Sequence, residues 1–549
     1  MQTLRRTVAV LIFPAIAYLG AACERTDTPT GAALPPAALQ LSSGDDRWVN
    51  FVDPTPLNGY FPPGTSCNDP GYRTIQAAVN AASSGDVIHV CPGPYDENVV
   101  INNVSLTSLT LLGAQAGTPV AMRTFGDPLE STVTGDMLMV DAPVFQIAVP
   151  NVTIDGFSVT NTVASGSAIG IGVKVAGSGA LVTNNIIDGV FTPDPFTMTS
   201  SSAQAIYLQQ GPDNVVISGN AISNVRSIRS AKGVFIGDAT GSTDPSLNVL
   251  IQGNSISDVT SDSRGSYGVT INRGNGTVAN SGLVIQGNTI QRLTGLGVSH
   301  VGWVHAIGLE ADAPGVLVRE NSIRNLVSPT FMGVSTAVGV WFEVTDPSYN
   351  TAHVNQNNLD VTIADFGIQV DPNITATGVV DGTCNWWGDP SGPGPVGNGL
   401  GAQVSPKVAF IPWLLAPAPG GACRGGAPSG GTVTGGGQID VMSGTTSGVG
   451  SFGFSANAAR HSGHLDYLNH LSSTHLNCTV NMVVILPPGN KARLDGTCSS
   501  NNYTGNFTAD VADNADPGKN GDTFKITYNT TTMDGSTTMP IRSGNIKIH

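Results

Sequence analysis

The chain has 549 residues, 68 of them glycine and 35 proline, and only 11 % are charged. Such a surplus of turn formers, with little Leu, Glu and Lys, excludes a largely helical protein and points to an all-β one. A formal charge of −15 argues against nucleic acid or an anionic membrane surface as partner, because both are gripped through Lys and Arg.

The first element is an export signal. Arg5 and Arg6 precede an apolar run over residues 8–19, too short to cross a bilayer. It closes with YLGAAC, which resembles a bacterial lipoprotein signal with Cys23 as the lipidated residue, although Gly20 stands where leucine is usual. The resemblance implies a signal peptide over 1–23 and a lipoprotein at the outer membrane or cell surface, or a secreted protein without lipidation. Membrane contact is then expected only through that anchor. Residues 24–64, which begin rich in Ala, Pro and Thr, read as a tether.

Beyond Cys23, the six remaining cysteines fall in three local pairs. In an exported chain they are expected to join as Cys67–Cys91, Cys384–Cys423 and Cys478–Cys498. No CxxC spacing of the zinc type occurs.

The folded part opens with YRTIQAAVNAASSGDVIHV. Ile75, Ala78, Val79 and Ala82 share one helical face, and a Gly85–Asp86 turn leads into a strand over 87–90. Such a helix would plug the open end of a stack of strands. The stack itself is announced by six similar segments, LVTNNIID, VVISGNAIS, VLIQGNSIS, LVIQGNTIQ, VLVRENSIR and AHVNQNNLD. Their asparagines, Asn185, Asn220, Asn254, Asn288, Asn321 and Asn357, recur every 33 to 36 residues. That period on short β-branched runs predicts a solenoid of nine or ten coils. TIQAAVNAASSGDVIHVCPGPYDENVVI with VTIDGFSV and VVISGNAIS resembles the pectin-lyase-like superfamily. The resemblance implies a right-handed parallel β-helix over 65–415 and hosts lyases, hydrolases, epimerases, tailspikes and non-catalytic proteins alike.

Inside the coils, Val216, Ile251, Val284 and Leu317 are expected to stack, as are Ile222, Ile256, Ile290 and Ile323. The asparagines are expected to form a hydrogen-bonded structural ladder at a bend, with Gly219, Gly253 and Gly287 supplying unusual dihedrals just before it. GTCNWWGDPSGPGPVGNG and VAFIPWL close the solenoid, with Trp386, Trp387 and Trp413 as a capping cluster.

Residues 416–434 form a Gly/Pro linker, and the alternating strands of 435–549 predict a small antiparallel β-sandwich. GGGQIDV, FGFSA, HLDYLNH, GNFTADVADN, GDTFKITYN and SGNIKIH resemble the domain that follows choice-of-anchor modules, which implies an accessory module without known chemistry. Among its histidines, alternation places His464 and His470 on one face and His461 and His475 on the other. A metal there would also use Asp466. Asp510, Asp513, Asp516 and Asp522 lack a calcium-loop spacing and read as a solvated turn.

Chemistry is sought on the outward face of the strands at 205–210, 233–238, 268–273, 306–311, 339–344 and 367–371. Alternation sends Ile206, Leu208, Val234, Ile236, Val269, Ile271, Ile307, Leu309, Val340, Phe342, Ile368 and Val370 inside. It sends Glu310, Glu343 and Asp371 outside in one line, as candidate catalytic residues. Tyr207, Phe235, Trp341 and, on a flanking loop with His300 and His305, Trp303 are candidate glycan-binding aromatics. Carboxylates on adjacent rungs, about 5 Å apart, would suit retaining glycoside hydrolysis, and the same row could hold calcium, the one cofactor the pattern suggests. Lyase and polygalacturonase patterns are missing, with Arg273 alone in this sheet. The sequence therefore favours a non-catalytic, surface-associated protein binding an extended polysaccharide or a surface partner. The alternative is a polysaccharide lyase or glycoside hydrolase using the carboxylate row.

Overall fold

The computed structural model describes residues 44–51, 59–136, 141–162, 169–192, 202–238, 244–273, 279–296, 302–328, 337–343, 345–363, 365–395, 399–425, 431–443, 446–458, 462–486, 490–499, 503–528 and 532–549. The signal segment with Cys23, most of the expected tether, His300 and His461 lie outside them.

Three long parallel sheets wind around a common core. Among the described residues sheet I has twelve strands, sheet II ten and sheet III eleven, and each strand pairs with its counterpart one coil away. Parallel pairing with a one-way advance is the parallel β-helix, with the right-handed crossover usual for such connections. Sheet I begins at Asp46–Val49, which pairs in register with Val87–Val90, so residues expected in the tether form the first rung. That rung and the short ones at Val380–Asp381 and Val408–Ala409 bring the stack above the nine or ten coils expected.

The helix Ile75–Ala81 forms where predicted, capped by the Thr74 side chain and burying Ile75, Ala78 and Val79. Glu97 accepts from the first helical N–H groups, Ile75 N at 2.8 Å and Gln76 N at 2.9 Å, which satisfies donors that a helix start leaves open. At the far end Trp387 and Trp413 are fully buried, and the Trp413 indole donates to the Pro390 carbonyl. All three expected disulfides are present, Cys67–Cys91, Cys384–Cys423 and Cys478–Cys498.

The asparagine ladder is continuous. Each Oδ1 accepts from the backbone N–H and the Nδ2 of the asparagine one coil earlier, at 2.9–3.1 Å from Asn185 through Asn357. The ladder runs one step further to Asn385. The residue before each asparagine is left-handed: Gly219, Gly253 and Gly287 hold φ of 62–64°, and Asn184, Glu320, Gln356 and Cys384 adopt 50–59° without being glycine.

One inward set was misassigned. Ile217, Ile251, Ile285 and Val318 fill sheet I's interior, whereas Val216 pairs with Leu250, and Leu250 with Val284, in an adjacent column. Three-residue strands between bends leave the alternation frame open, and a one-residue shift exchanges the faces. The Ile222, Ile256, Ile290 and Ile323 stack and the twelve expected interior residues of sheet III are all buried.

Residues 432–548 form an antiparallel meander with its own core around Phe452, Phe524, Tyr467 and Leu494. In place of the two facing sheets expected, the nine strands among its described residues make one continuous sheet, with Ser543–Ile548 returning beside the first strand. Asp534, buried in it, accepts from Tyr467, Tyr528 and Asn469.

Candidate functional site

Sheet III brings the acidic row together. Asn272 pairs with Glu310 in the strand register, the Glu343 N–H donates to the Leu309 carbonyl, and the Asp371 N–H donates to the Phe342 carbonyl. Glu310, Glu343 and Asp371 thus occupy one column on successive rungs, about 4.8 Å apart. Although outward, two of them are little exposed, Glu310 at 9 % and Asp371 at 8 %, and Glu343 is half-buried. Their partners differ. Glu310 accepts from Asn272 Nδ2 at 2.8 Å, Asp371 is tied into its own turn by Asn373, and among the described residues Glu343 receives only the Thr345 hydroxyl at 3.5 Å. Burial, with Glu310 and Asp371 adding repulsion, pushes the Glu343 carboxyl up to about 7.

Simple alternation missed the residues that complete the site. Gly172, Ala205, Gly233, Gly268, Ala306, Gly339 and Gly367 stack in one column. A Cβ on Gly268 would meet Ile290 Cγ2 of the core at 2.6 Å, so this position faces inward, as does the next. Two inward residues in succession act as a bulge and return the preceding residue to the outside. Lys232, Tyr267 and His305 therefore join the outward face. The column of small residues was the signal in the sequence that could have revealed them.

These three surround Glu310. His305 is 4 % exposed, lies 3.4 Å through Nδ1 from Glu310 Oε1, stacks on Trp341 at 5.2 Å and meets Tyr267 edge-on at 5.5 Å. Tyr267 is held well above the usual tyrosine range by burial, with Glu310 and Glu343 reinforcing it. Lys232 sits 3.7 Å above the Phe235 ring. Burial lowers its amine to about 8 against the opposing pull of Glu310.

The candidate aromatics divide. Tyr207 and Phe235 stack on each other at 5.0 Å and are 3 % and 6 % exposed, in a small apolar cluster with Ile171. Their faces are taken up by protein. Trp303 begins the strand Trp303–Glu310, where a loop was expected, and is 44 % exposed; Trp341 is half-buried. Arg273 ends the strand Gly265–Arg273, and its side chain lies outside the described residues.

Between Thr270 and Trp341 the same outward column holds Gly308. A carbon at its absent Cβ would lie 3.3 Å from Thr270 Oγ1 and 3.5 Å from Glu310 Oε1 and Tyr267 Cδ1. Gly308 is itself buried, and its missing side chain lets these groups close up beside the carboxylate pair.

The other candidates do not converge. His464 and His475 meet at Asp466, at 2.7 and 3.6 Å, and His470 bonds Ser451. His464 and His470 share the outer face, as expected, whereas His475, expected on the other face, pairs with Leu468 and lies on the same one. Cross-strand neighbours, rather than alternation along one strand, set that grouping. No set of three metal-ligating groups forms among the described residues. Asp510 pairs Arg493, Asp516 pairs Lys547, and Asp513 and Asp522 accept backbone N–H groups. An open groove of about 400 Å³ along the left-handed turns, lined by Asn184, Gly219, Gly253, Gly287 and Glu320, has one acidic side chain and no titratable cluster. It is a trace of the turn geometry and lies away from the sheet III face.

The family described as protein of unknown function DUF1565 matches residues 61–257. A search of curated proteins gives no match. Among solved structures, a pectin methylesterase from Aspergillus niger is 14 % identical over 65 % of this chain and 85 % of its own, with a TM-score of 0.27. The pectin methylesterase from carrot is 12 % identical over 61 % and 85 %, with a TM-score of 0.26. The enzymatically active domain of tailspike protein 2 of bacteriophage CBA120 is 12 % identical over 86 % and 74 %, with a TM-score of 0.33.

Proposed function

We propose that this protein is an exported β-helix that cleaves a glycosidic bond in an extended polysaccharide, with Glu343 and Glu310 as the reacting pair. One observation carries the reading: two carboxylates on neighbouring rungs sit in opposed environments. Glu343, with one long donor contact among the described residues, has its carboxyl pushed up to about 7, while Glu310 accepts from Asn272 beside His305. Pairs of that kind divide acid and nucleophile roles. Glu343 would protonate the departing glycosidic oxygen while Glu310 bonds to the anomeric carbon. Water would then release the sugar, its proton returning to Glu343. The rung spacing of about 4.8 Å is near the separation of about 5 Å typical of retaining enzymes.

Retention without turnover is the second reading, favoured by half-exposed Trp341 beside the row and by exposed Trp303 at the start of the strand that Glu310 ends. Reducing-sugar release across a polysaccharide panel separates the two. The proposal expects release that falls by at least about 10³-fold in Glu343→Gln and Glu310→Gln. Binding with no release from the unaltered protein overturns cleavage and leaves retention.

A further inference from the structure

Sheet I turns one side chain of each three-residue strand inward, with Val182, Ile217, Ile251, Ile285 and Val318 buried, and two outward. The first outward position stacks in register as Leu181, Val216, Leu250, Val284 and Leu317, and the second as Thr183, Ser218, Gln252, Gln286 and Arg319. Over four of these rungs, residues 181–184, 216–219, 250–253 and 284–287, no side chain carries a charge, in a chain whose net charge is −15. The polar column is tied along its length. Arg319 Nε donates to Gln286 Oε1 at 2.9 Å, Gln286 Nε2 donates to Gln252 Oε1 at 3.1 Å, and the Thr183 and Ser218 hydroxyls meet at 3.0 Å. Among the described residues Gln252 Nε2 has no partner of its own. Beside this column runs the open groove of the left-handed turns, about 400 Å³, where a Cβ on Gly253 or Gly287 would meet nothing nearer than 3.9 Å.

We propose that this strip of sheet I binds a single extended chain of a neutral polysaccharide, laid along the axis of the stacked coils. A polyanion finds no cation to grip on these four rungs. A folded partner, or a second copy, needs more surface. Strands about 10 Å long on five rungs spanning about 19 Å offer roughly 200 Å², about a quarter of the 800 Å² or so that each partner buries in a stable dimer. A sugar chain fits both columns. Its ring C–H faces pack on the half-buried aliphatic column, and its hydroxyls reach the amides and the groove beside them. The rung step of about 4.8 Å is close to the length of one sugar in an extended chain, so successive sugars meet equivalent partners. The bonds along the polar column hold its amides in place before a ligand arrives, which lowers the ordering cost of binding. The strip lies on a different sheet from the carboxylate pair, and the inference does not rest on cleavage there.

Calorimetry with gluco- and manno-oligosaccharides of increasing length tests the strip, with oligogalacturonates as the charged counterpart. Glu343→Gln serves as the parent, so that the probes stay whole. Affinity for a neutral chain should climb up to about four or five sugars, the span of the strip at one sugar per rung, and then level off. Ser218→Arg, which puts a long cation into the groove, should weaken binding at least about tenfold. Gln252→Glu keeps the bond from Gln286 but removes the spare donor, and should weaken binding about three- to tenfold. Both side chains lie outside the core, so melting temperature should stay within about 2 °C of the parent's. Equal affinity in parent and variants would overturn the inference, as would affinity independent of chain length or tighter binding of the galacturonates. So would a dimer in sedimentation that Ser218→Arg dissociates, which would give the strip to a second copy. Binding that follows the expected pattern, with no reducing sugar released by the unaltered protein, would sink only the catalytic reading.

Discussion

Asn254 sits mid-ladder, and truncating it to alanine gives the sharpest test of what holds the coils in register. Its Oδ1 accepts from the Asn220 backbone N–H at 3.0 Å and from Asn220 Nδ2 at 2.9 Å. Its Nδ2 donates to the Ile217 carbonyl and to Asn288 Oδ1, both at 3.0 Å. The residue is 1 % exposed, so water cannot take over these contacts. Two or three buried groups lose a partner at about 1–3 kcal/mol each, giving a loss of about 3–6 kcal/mol, a large part of the roughly 5–15 kcal/mol that holds a domain together. Urea unfolding followed by circular dichroism reads the loss, and amide exchange should show it centred on residues 216–223 and 250–257. Gln252→Ala is the control: that amide lies on the same turn, outside the helix, and its bond from Gln286 should contribute under about 1 kcal/mol. An Asn254→Ala protein no less stable than Gln252→Ala would refute the ladder as a source of stability.

Glu343 should leave a pH signature. Its folded-state value of about 7 lies above the ordinary 4.5, so the unfolded chain ionises first and stability declines as pH rises from about 4.5 through about 7; melting curves of Glu343→Gln should lack that part of the slope. Glu320 holds φ of 59° where the three preceding coils use Gly219, Gly253 and Gly287, so Glu320→Gly should raise stability by about 1 kcal/mol, seen as a higher melting temperature. Trp387 is wholly buried at the closing end, so Trp387→Ala should cost about 3–5 kcal/mol. Its exchange protection should be lost first over residues 353–414; a loss spread evenly along the solenoid would contradict a capping role.

The repeat made the solenoid legible, because asparagines every 33 to 36 residues fix both period and bend. The row Glu310, Glu343 and Asp371 was legible for the same reason, since strict alternation holds on its side of the glycine column. It fails on the other side: Gly268 and Val269 both face inward, and a pattern of period two cannot register a bulge. Tyr267 and Lys232 were hidden by that failure, and His305, expected on a flanking loop, lies on the strand itself. The burial of Tyr207 and Phe235 was illegible for another reason, because side chains one coil apart are 28 residues apart in sequence. The place of the last C-terminal strand, Ser543–Ile548, beside Thr432–Ser443 is a long-range choice that no local pattern specifies.

The corner column of glycine and alanine has a consequence for how such a molecule can change. Successive coils from Gly172 to Gly367 carry the same bulge in sheet III, so whole coils there resemble one another as modules and the axis works like a graduated scale. Inserting one coil between Arg273 and Trp303 would lengthen the scale by about 4.8 Å and carry His305 away from Tyr267 without altering the inside of either coil. Reach between reactive groups is therefore set by counting turns, and can be retuned in steps while the interior of the spiral stays untouched.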